Sequence, residues 1–136
     1  MNKTRILVGL AGMMTLMSGT SLLAQGPTYS FTMSTSFYAG NAKLPAGTYV
    51  IRQMPDESSA YSIQNKAGTH SVILDTRQSS KASKGKPEVL FNKYGTTDYL
   101  EGVATSDGTS IDVIPGTAEK IAAKKGSPKP HTVPTA

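Results

Sequence analysis

Large apolar and small polar side chains alternate along the segment TYSFTMSTSFYAG, which begins at Thr28. The positions between the large side chains are all serine or threonine. A two-residue period is typical of a strand that buries one side and exposes the other. The segment therefore predicts a half-buried strand with these residues on its inner side: Tyr29, Phe31, Met33, Thr35 and Phe37.

Further strand-like segments follow, separated by turn signals. They are GTYVIRQM, AYSIQN, HSVILD, PEVLFNKYG, TDYLEGVAT and TSIDVI. The turn signals between the later ones are Lys66–Thr69, Gly95–Thr97 and Asp107-Gly108, the last of which favours a hairpin because both residues accept positive φ. Short strands at this spacing predict an all-β fold. We expect a single antiparallel β-sandwich, or a partly open barrel, of about seven strands over residues 25–115.

The pattern changes after Pro115-Gly116. The segment TAEKIAAKK has strong helix formers, an acid in its first turn and two lysines at its end, which predicts a short helix over residues 116–125. Thr117 is the predicted N-cap, and Ala118, Ile121 and Ala122 are expected to dock on the sheet. The last residues, 126–136, contain three prolines and little apolar bulk, which predicts a disordered tail.

The segment Leu44-Pro45-Ala46-Gly47 predicts a turn. Proline at the second position fixes φ and glycine at the fourth is favoured, as in a type I turn. The segment also resembles a sortase signal, but its glycine and threonine stand in the reverse order and no apolar tail follows. We therefore interpret it as a corner between two strands.

The N-terminus has the layout of a secretory signal peptide. MNKTR supplies positive charge, ILVGLAGMMTLM is apolar, and small residues follow. The sequence predicts a signal peptide over residues 1–24 with cleavage after Ala24, and therefore an exported protein in the periplasm or outside the cell. An uncleaved membrane anchor is the alternative. After cleavage we expect no transmembrane segment.

Composition narrows the functional classes. The chain contains no cysteine, so its stability depends on an apolar core without disulfides. Its net charge of +5 is mildly basic, and no aromatic residues are interleaved with the cations of its most basic segment. A dedicated nucleic-acid-binding protein requires more of both. We expect no specific nucleic-acid partner.

The sequence offers no recognisable nucleophile. It lacks cysteine and the Gly-x-Ser-x-Gly motif. His70 and the adjacent Ser71 would face opposite sides of a strand, and His131 falls in the predicted tail. Asp98 and Glu101 should also face opposite sides. These observations predict that the protein is not an enzyme.

Metal ligation is also poorly supported. Clustered cysteine and histidine ligands for zinc are absent. Asp107, Ser110 and Asp112 lack the spacing of a calcium-binding EF-hand, and a turn explains Asp107-Gly108. We predict no metal and no cofactor.

One segment, Thr76 to Pro87, is basic and strand-poor, and we call it the basic segment. It carries Arg77, Lys81, Lys84 and Lys86 without an acid among them. Long connections without secondary structure are often functional. We predict that these four residues bind an anionic envelope polymer or acidic polysaccharide; the alternative is a solvated connection.

The segments FTMSTSFYAG, KLPAGTYVI and LFNKYGTTDYLEGV stand in order along the chain, followed by GTAEKIAAKK. This arrangement resembles a group of small, uncharacterised secreted bacterial β-sandwich proteins. These have an alternating first strand, a Leu-Pro-Ala-Gly-x-Tyr corner, a Phe-x-x-Tyr-Gly-x-x-Tyr-Leu-like segment and a short helix. The resemblance covers roughly residues 1–125. It implies a β-sandwich and export, and no known activity.

We therefore expect a secreted, non-enzymatic protein that acts as an envelope-associated binding or structural module. Two alternatives stay open. The chain could be a subunit of an extracellular assembly that pairs through the Ser/Thr-rich residues 30–36. It could also be a small hydrolase whose site the sequence does not reveal. The oligomeric state is open.

Export supplies the first test. Expression with an intact export pathway should yield a product that lacks residues 1–24, because charge, apolar length and small flanking residues all agree. Intact-mass measurement of the exported protein checks the cut after Ala24. A full-length, membrane-bound product would contradict the prediction.

Overall fold

A computed structural model describes residues 27–80 and 85–136. Within those two ranges the chain forms ten strands and one helix, α1, at Thr117–Lys125. The strands are β1 Thr28–Met33, β2 Phe37–Ala39, β3 Ala42–Leu44, β4 Gly47–Met54, β5 Glu57–Asn65, β6 Ser71–Ser80, β7 Glu88–Tyr94, β8 Thr97–Ala104, β9 Thr109–Val113 and β10 Lys129–Pro134. The predicted all-β fold with a short C-terminal helix is confirmed, with more strands than expected. The predicted signal peptide, residues 1–24, lies outside the described residues.

The strands form one sheet that is antiparallel along most of its length. Its main path is β1-β4-β5-β6-β9-β8-β7-β10. The long strand β6 joins the two halves, since residues 71–75 pair with β5 and residues 76–80 pair with β9. The β2–β3 hairpin attaches to the first half of β8. The β2–β8 pairing is parallel, which makes the sheet mixed.

The two end strands of this path, β1 and β10, meet without a ladder in the described part of the chain. Ala136 N donates to Ser30 O at 2.9 Å. Along a strand, the peptide groups of every second residue point toward the same neighbouring strand. The peptide groups of Pro130 and Pro134 therefore face β1, as that of Ala136 does. A proline nitrogen has no hydrogen to donate. The edge of β10 that faces β1 therefore lacks two donors, which explains why the sheet stays open there.

Two predictions about where strands lie were wrong. The segment that was predicted to form one strand forms two. β1 ends at Met33 and pairs with β4, whereas β2 begins at Phe37 and pairs with β3 and β8. The predicted disordered tail, residues 126–136, contains β10, which pairs with β7 along its whole length. Prolines are compatible with this strand because they lie at an edge, and Val133 reaches the core.

The core is built around four aromatic rings, those of Phe31, Phe37, Tyr49 and Phe91, each at most 1% exposed. The rings of Phe37 and Tyr49 meet edge to face with centroids 5.1 Å apart, and those of Phe37 and Phe91 do so at 5.5 Å. Phe31 lies 6.0 Å from each of the other three. Edge-to-face geometry of this kind adds to the gain from burial. The predicted inner side of the first segment is confirmed for Tyr29, Phe31, Met33 and Phe37, which are buried, and is wrong for Thr35, which is exposed.

The segment 44–47 forms the predicted corner between β3 and β4. Tyr49 Oη donates to Pro45 O at 2.6 Å and so fastens the corner to the core. Gly47 has φ 154°, a conformation that side-chain-bearing residues rarely adopt. A Cβ at this position would lie 3.8 Å from the Tyr49 ring, so space is available. The requirement for glycine therefore comes from the backbone.

Helix α1 begins differently from the prediction. Its N-cap is Gly116, and the N–H of Thr117 donates to Asn41 Oδ1 at 2.8 Å. A Cβ on Gly116 would lie 2.4 Å from Gly40 O, so the helix start and the β2–β3 turn are in close contact. The predicted docking of Ile121 is wrong, since its side chain is 51% exposed. The buried residue of the helix is Glu119.

Replacement of Gly47 by valine should destabilise the fold by about 1 kcal/mol or more, because valine is strained at this φ. Chemical denaturation measures the free energy of unfolding. Ala46→Val, at the adjacent exposed position, is the control and should change it little. Unchanged stability together with a lost binding activity would show instead that the corner is a binding loop.

Candidate binding site

The part of the basic segment that lies outside strands is shorter than predicted. Residues 76–80 belong to β6 and pair with β9, and exposed Arg77 lies opposite Asp112. Residues 76–80 are all polar, so their sequence did not predict a strand, and their pairing depends on main-chain hydrogen bonds. Lys86 is exposed in the connection to β7, while Lys81 and Lys84 lie outside the described residues. The structure thus places two of the four predicted residues and does not bring them together.

Three tyrosines form a cluster on the outer side of β8. Tyr38 of β2 lies opposite Tyr99 in the parallel pairing, and their rings stack with centroids 5.0 Å apart. Tyr94, at the end of β7, meets the Tyr99 ring edge to face at 5.7 Å. We call these residues the tyrosine cluster. Tyr99 is buried and packs against the rings of both neighbours.

Glu119 lies on the side of α1 that faces β7. Its side chain is 7% exposed, and Asn92 Nδ2 donates to its Oε2 at 3.2 Å. Asn92 pairs with Tyr99 across β7 and β8, so this contact joins α1 to the face that carries the tyrosine cluster. Burial raises the pKa of Glu119 and nearby Glu101 raises it further, whereas the Asn92 hydrogen bond opposes the shift.

A cleft lies between the β7–β8 turn and the C-terminal end of α1. Its volume is about 240 Å³, and its lining residues are Tyr94, Gly95, Ala122, Lys125, Gly126 and Ser127. The tyrosine ring forms one wall. The lysine supplies a positive charge, and the serine supplies a hydroxyl. The cleft therefore combines an apolar surface with donors and acceptors of hydrogen bonds, as small-molecule sites do.

The C-terminal end of α1 borders this cleft. Gly126 has φ 178° and is extended, so it does not form the left-handed cap that commonly closes a helix. In residues 27–80 and 85–136, no backbone hydrogen bond caps the last turn of α1 from outside the helix. The last four carbonyls of a helix have no partner within it. Ala122 and Lys125 of this last turn line the cleft, so the helix end borders the space that a ligand would occupy.

The hydroxyl of Tyr94 remains protonated well above neutral pH. Burial raises its pKa, and the neighbouring carboxylates of Glu119 and Glu101 raise it further. A protonated phenol both donates and accepts hydrogen bonds. Tyr94 can therefore offer a ring face and a neutral polar group to the same ligand.

A second polar pair lies on the inner side of the sheet. His131 Nδ1 is 3.0 Å from Asp98 Oδ1, and the side chains are 41% and 1% exposed respectively. The His131 ring also lies 6.0 Å from that of Phe91. The predicted tail placed His131 outside the fold, and β10 instead carries it to a buried carboxylate. The pair fastens β10 to β8 across the intervening strand β7.

This pair resembles part of a catalytic triad, in which a carboxylate orients a histidine that activates a hydroxyl. Among the described residues, no hydroxyl is hydrogen-bonded to His131. His70 is exposed beside the β5–β6 turn. Within the same ranges, no group of three or more side chains is placed to hold a metal ion.

The Asp107 carboxylate serves the turn that the sequence predicted. It accepts hydrogen bonds from the hydroxyls of Thr105 and Thr109, and these bonds lower its pKa. Ser110 Oγ donates to Asp112 Oδ1 at 2.8 Å, within β9. The acidic residues of this segment thus have local partners.

Comparison with protein-family models, with curated proteins and with solved structures gives no match to this chain. Over residues 27–80 and 85–136, no helix has both the length and the apolar character needed to cross a bilayer.

Glu119 provides a pH-dependent test of helix docking. Its folded-state pKa is raised above the ordinary value of 4.5, so ionisation on raising the pH disfavours the folded state. Glu119→Gln removes that charge and retains an acceptor for Asn92. The melting temperature of the variant should therefore exceed that of the original protein at pH 7, and the difference should vanish below about pH 4.

Thermal melts between pH 3 and pH 7 measure this difference. Lys120→Gln, on the exposed side of the same helix, is the control and should show no comparable trend. A Glu119→Gln variant that is less stable at neutral pH than at acid pH, relative to the original protein, would contradict the proposed role of burial.

Proposed function

We propose that this protein is an exported, non-enzymatic module that binds an anionic polymer of the cell envelope or of the surroundings. The cleft at the end of α1 is the observation that carries this proposal. The signal-peptide pattern of residues 1–24 and the resemblance to secreted β-sandwich proteins support export. The mildly positive net charge supports an anionic partner.

The cleft is suited to binding because its aromatic residue, Tyr94, packs against other rings. Tyr94 packs against Tyr99, and Tyr99 stacks in turn on Tyr38. A side chain that is already fixed loses little conformational entropy when a ligand arrives. Lys125 lines the same cleft and is an exposed cation that can approach an anionic group.

The basic segment provides a second positive region at the other end of β7. Lys86 precedes the start of this strand, and Tyr94 ends it. Seven residues of extended chain span about 23 Å at roughly 3.3 Å per residue. A polymer of several units can therefore reach both regions, whereas a single small molecule cannot. Two weak contacts on one chain reinforce each other.

The His131–Asp98 pair is best explained as a structural tie. It joins the last strand to β8, and it stands apart from the cleft on the opposite face of the sheet. A hydrolase remains the alternative because a carboxylate-oriented histidine is a component of many hydrolytic sites. A panel of ester, amide and glycoside substrates, compared between the protein and His131→Gln, tests this alternative.

Assembly through strand pairing is the other candidate, and the open edge of β1 favours it. In the described part of the chain, β1 pairs with β4 alone, and Ala136 occupies just one acceptor of its other edge. Unpaired edges can add a strand from another chain. Gel filtration across a range of protein concentrations measures whether the particle grows.

Retention on immobilised acidic polysaccharide tests the proposed function. The protein should be retained at low salt and released as salt rises, because exposed charges are screened within about 8 Å at physiological ionic strength. Replacement of Lys81, Lys84 and Lys86 by glutamine should abolish retention while the melting temperature stays nearly unchanged.

A matched variant removes the same charge elsewhere, with glutamine at Lys43, Arg52 and Lys66, which are exposed and distant in sequence from the basic segment. This control should remain bound. Equal loss of retention in both triple variants would show that retention depends on net charge and not on the basic segment. Retention that survives the first triple replacement, or that ignores salt, would show that the basic segment is a solvated connection.

A further inference from the structure

We infer that the cleft binds one acidic saccharide unit, a sugar ring that carries a carboxylate. This inference rests on the proposed function, because it names the ligand class of the same cleft. It follows from the size of the cleft and from the chemistry of its walls.

Size limits the ligand to a single small ring. The cleft measures about 240 Å³, which is below the range of roughly 300–1,000 Å³ that is common for drug-sized ligands. It is partly open to solvent, so neighbouring units of a longer chain can continue outside it. One unit is held, and the rest of the polymer extends over the surface.

The helix end selects for a ligand that donates hydrogen bonds. The last carbonyls of α1 lack a cap, and the helix dipole is negative at this end. A phosphate carries charge on all its free oxygens and would place that charge against these acceptors, and phosphate sites use the N–H groups of a helix N-terminus instead. An acidic sugar carries its charge on one substituent, so its carboxylate can face Lys125 while its hydroxyls face the helix end. Sugar hydroxyls can donate to such carbonyls. The geometry therefore favours a polyol over a phosphate.

The tyrosine wall selects for a flat apolar face. The Tyr94 ring is partly exposed at the cleft and is held edge to face by Tyr99. One face of a pyranose ring presents C–H groups, which can lie against an aromatic ring. A flexible linear anion has no such face and would gain less from the same wall.

Lys125 is the reason for assigning a carboxylate to the bound sugar. It is the charged residue among the six that line the cleft, and it is exposed, so it can move toward a ligand. An exposed pairing of this type adds modest affinity. Its main effect is preference: the acidic sugar should bind more tightly than its neutral counterpart, and the difference should fall with salt.

The test is a titration of the isotopically labelled protein with a glucuronic acid disaccharide and, separately, with the neutral glucose disaccharide of the same linkage. Amide shifts report the location of binding. The acidic sugar should move the amides of Gly95, Gly126 and Ser127, and should bind several-fold more tightly than the neutral one.

Three variants locate the contributions. Tyr94→Ala should weaken binding of both sugars by about tenfold, equivalent to about 1.4 kcal/mol, whereas Tyr94→Phe should keep most of the affinity. Lys125→Gln should remove the preference for the acidic sugar and leave binding of the neutral one unchanged. Lys124→Gln, the neighbouring charge outside the lining, is the matched control and should preserve the preference.

The outcomes separate this inference from the function on which it rests. Retention of the protein on acidic polysaccharide without cleft shifts by either disaccharide would overturn the inference alone. Absence of both retention and shifts would overturn the two together. Equal affinity for the two disaccharides, or a preference that survives Lys125→Gln, would exclude the acidic-sugar assignment. The amide spectrum of Tyr94→Ala, compared with that of the original protein, guards against loss of folding as the cause.

Discussion

The contact among the rings of Phe31, Phe37, Tyr49 and Phe91 joins parts of the sheet that no strand pairing connects directly. Phe31 and Tyr49 come from the β1–β4 pair, whereas Phe37 and Phe91 come from β2 and β7 on the other half. The chain has no disulfide to make this connection. Burial of one such side chain contributes roughly 1.5–3 kcal/mol, a large part of a domain's net stability of about 5–15 kcal/mol.

The same core fixes the outer surface. Side chains of successive residues in a strand point to opposite faces, so Phe37 in the core sets Tyr38 on the outside, and Phe91 likewise sets Asn92. Tyr38 then stacks on Tyr99 in the tyrosine cluster, and Asn92 donates a hydrogen bond to Glu119 of α1. A shift of register by one residue would exchange core and outer positions. The cleft therefore depends on contacts that it does not itself contain.

The sequence predicted what alternation and turn residues encode. The strands with apolar inner sides and the turns at Gly95 and Asp107-Gly108 are present. Other features lacked such signals. Residues 76–80 are polar on both sides and become a strand through main-chain pairing with β9. The prolines near the C-terminus indicated disorder, although an edge strand accommodates them. The helix turns Glu119 inward because Asn92 offers it a partner.

The cleft had no sequence signal because Tyr94 and Lys125 are far apart in the chain. They meet because α1 begins in contact with the β2–β3 turn. There the N–H of Thr117 donates a hydrogen bond to Asn41, which is 76 positions away in the sequence. The parallel β2–β8 pairing is similarly distant. Contacts of this range make folding slow, on the order of milliseconds to seconds. Throughout that interval unpaired strands are exposed to other chains. The prolines of β10 then have a protective effect before the native state exists, because they make the last strand a poor template for aggregation.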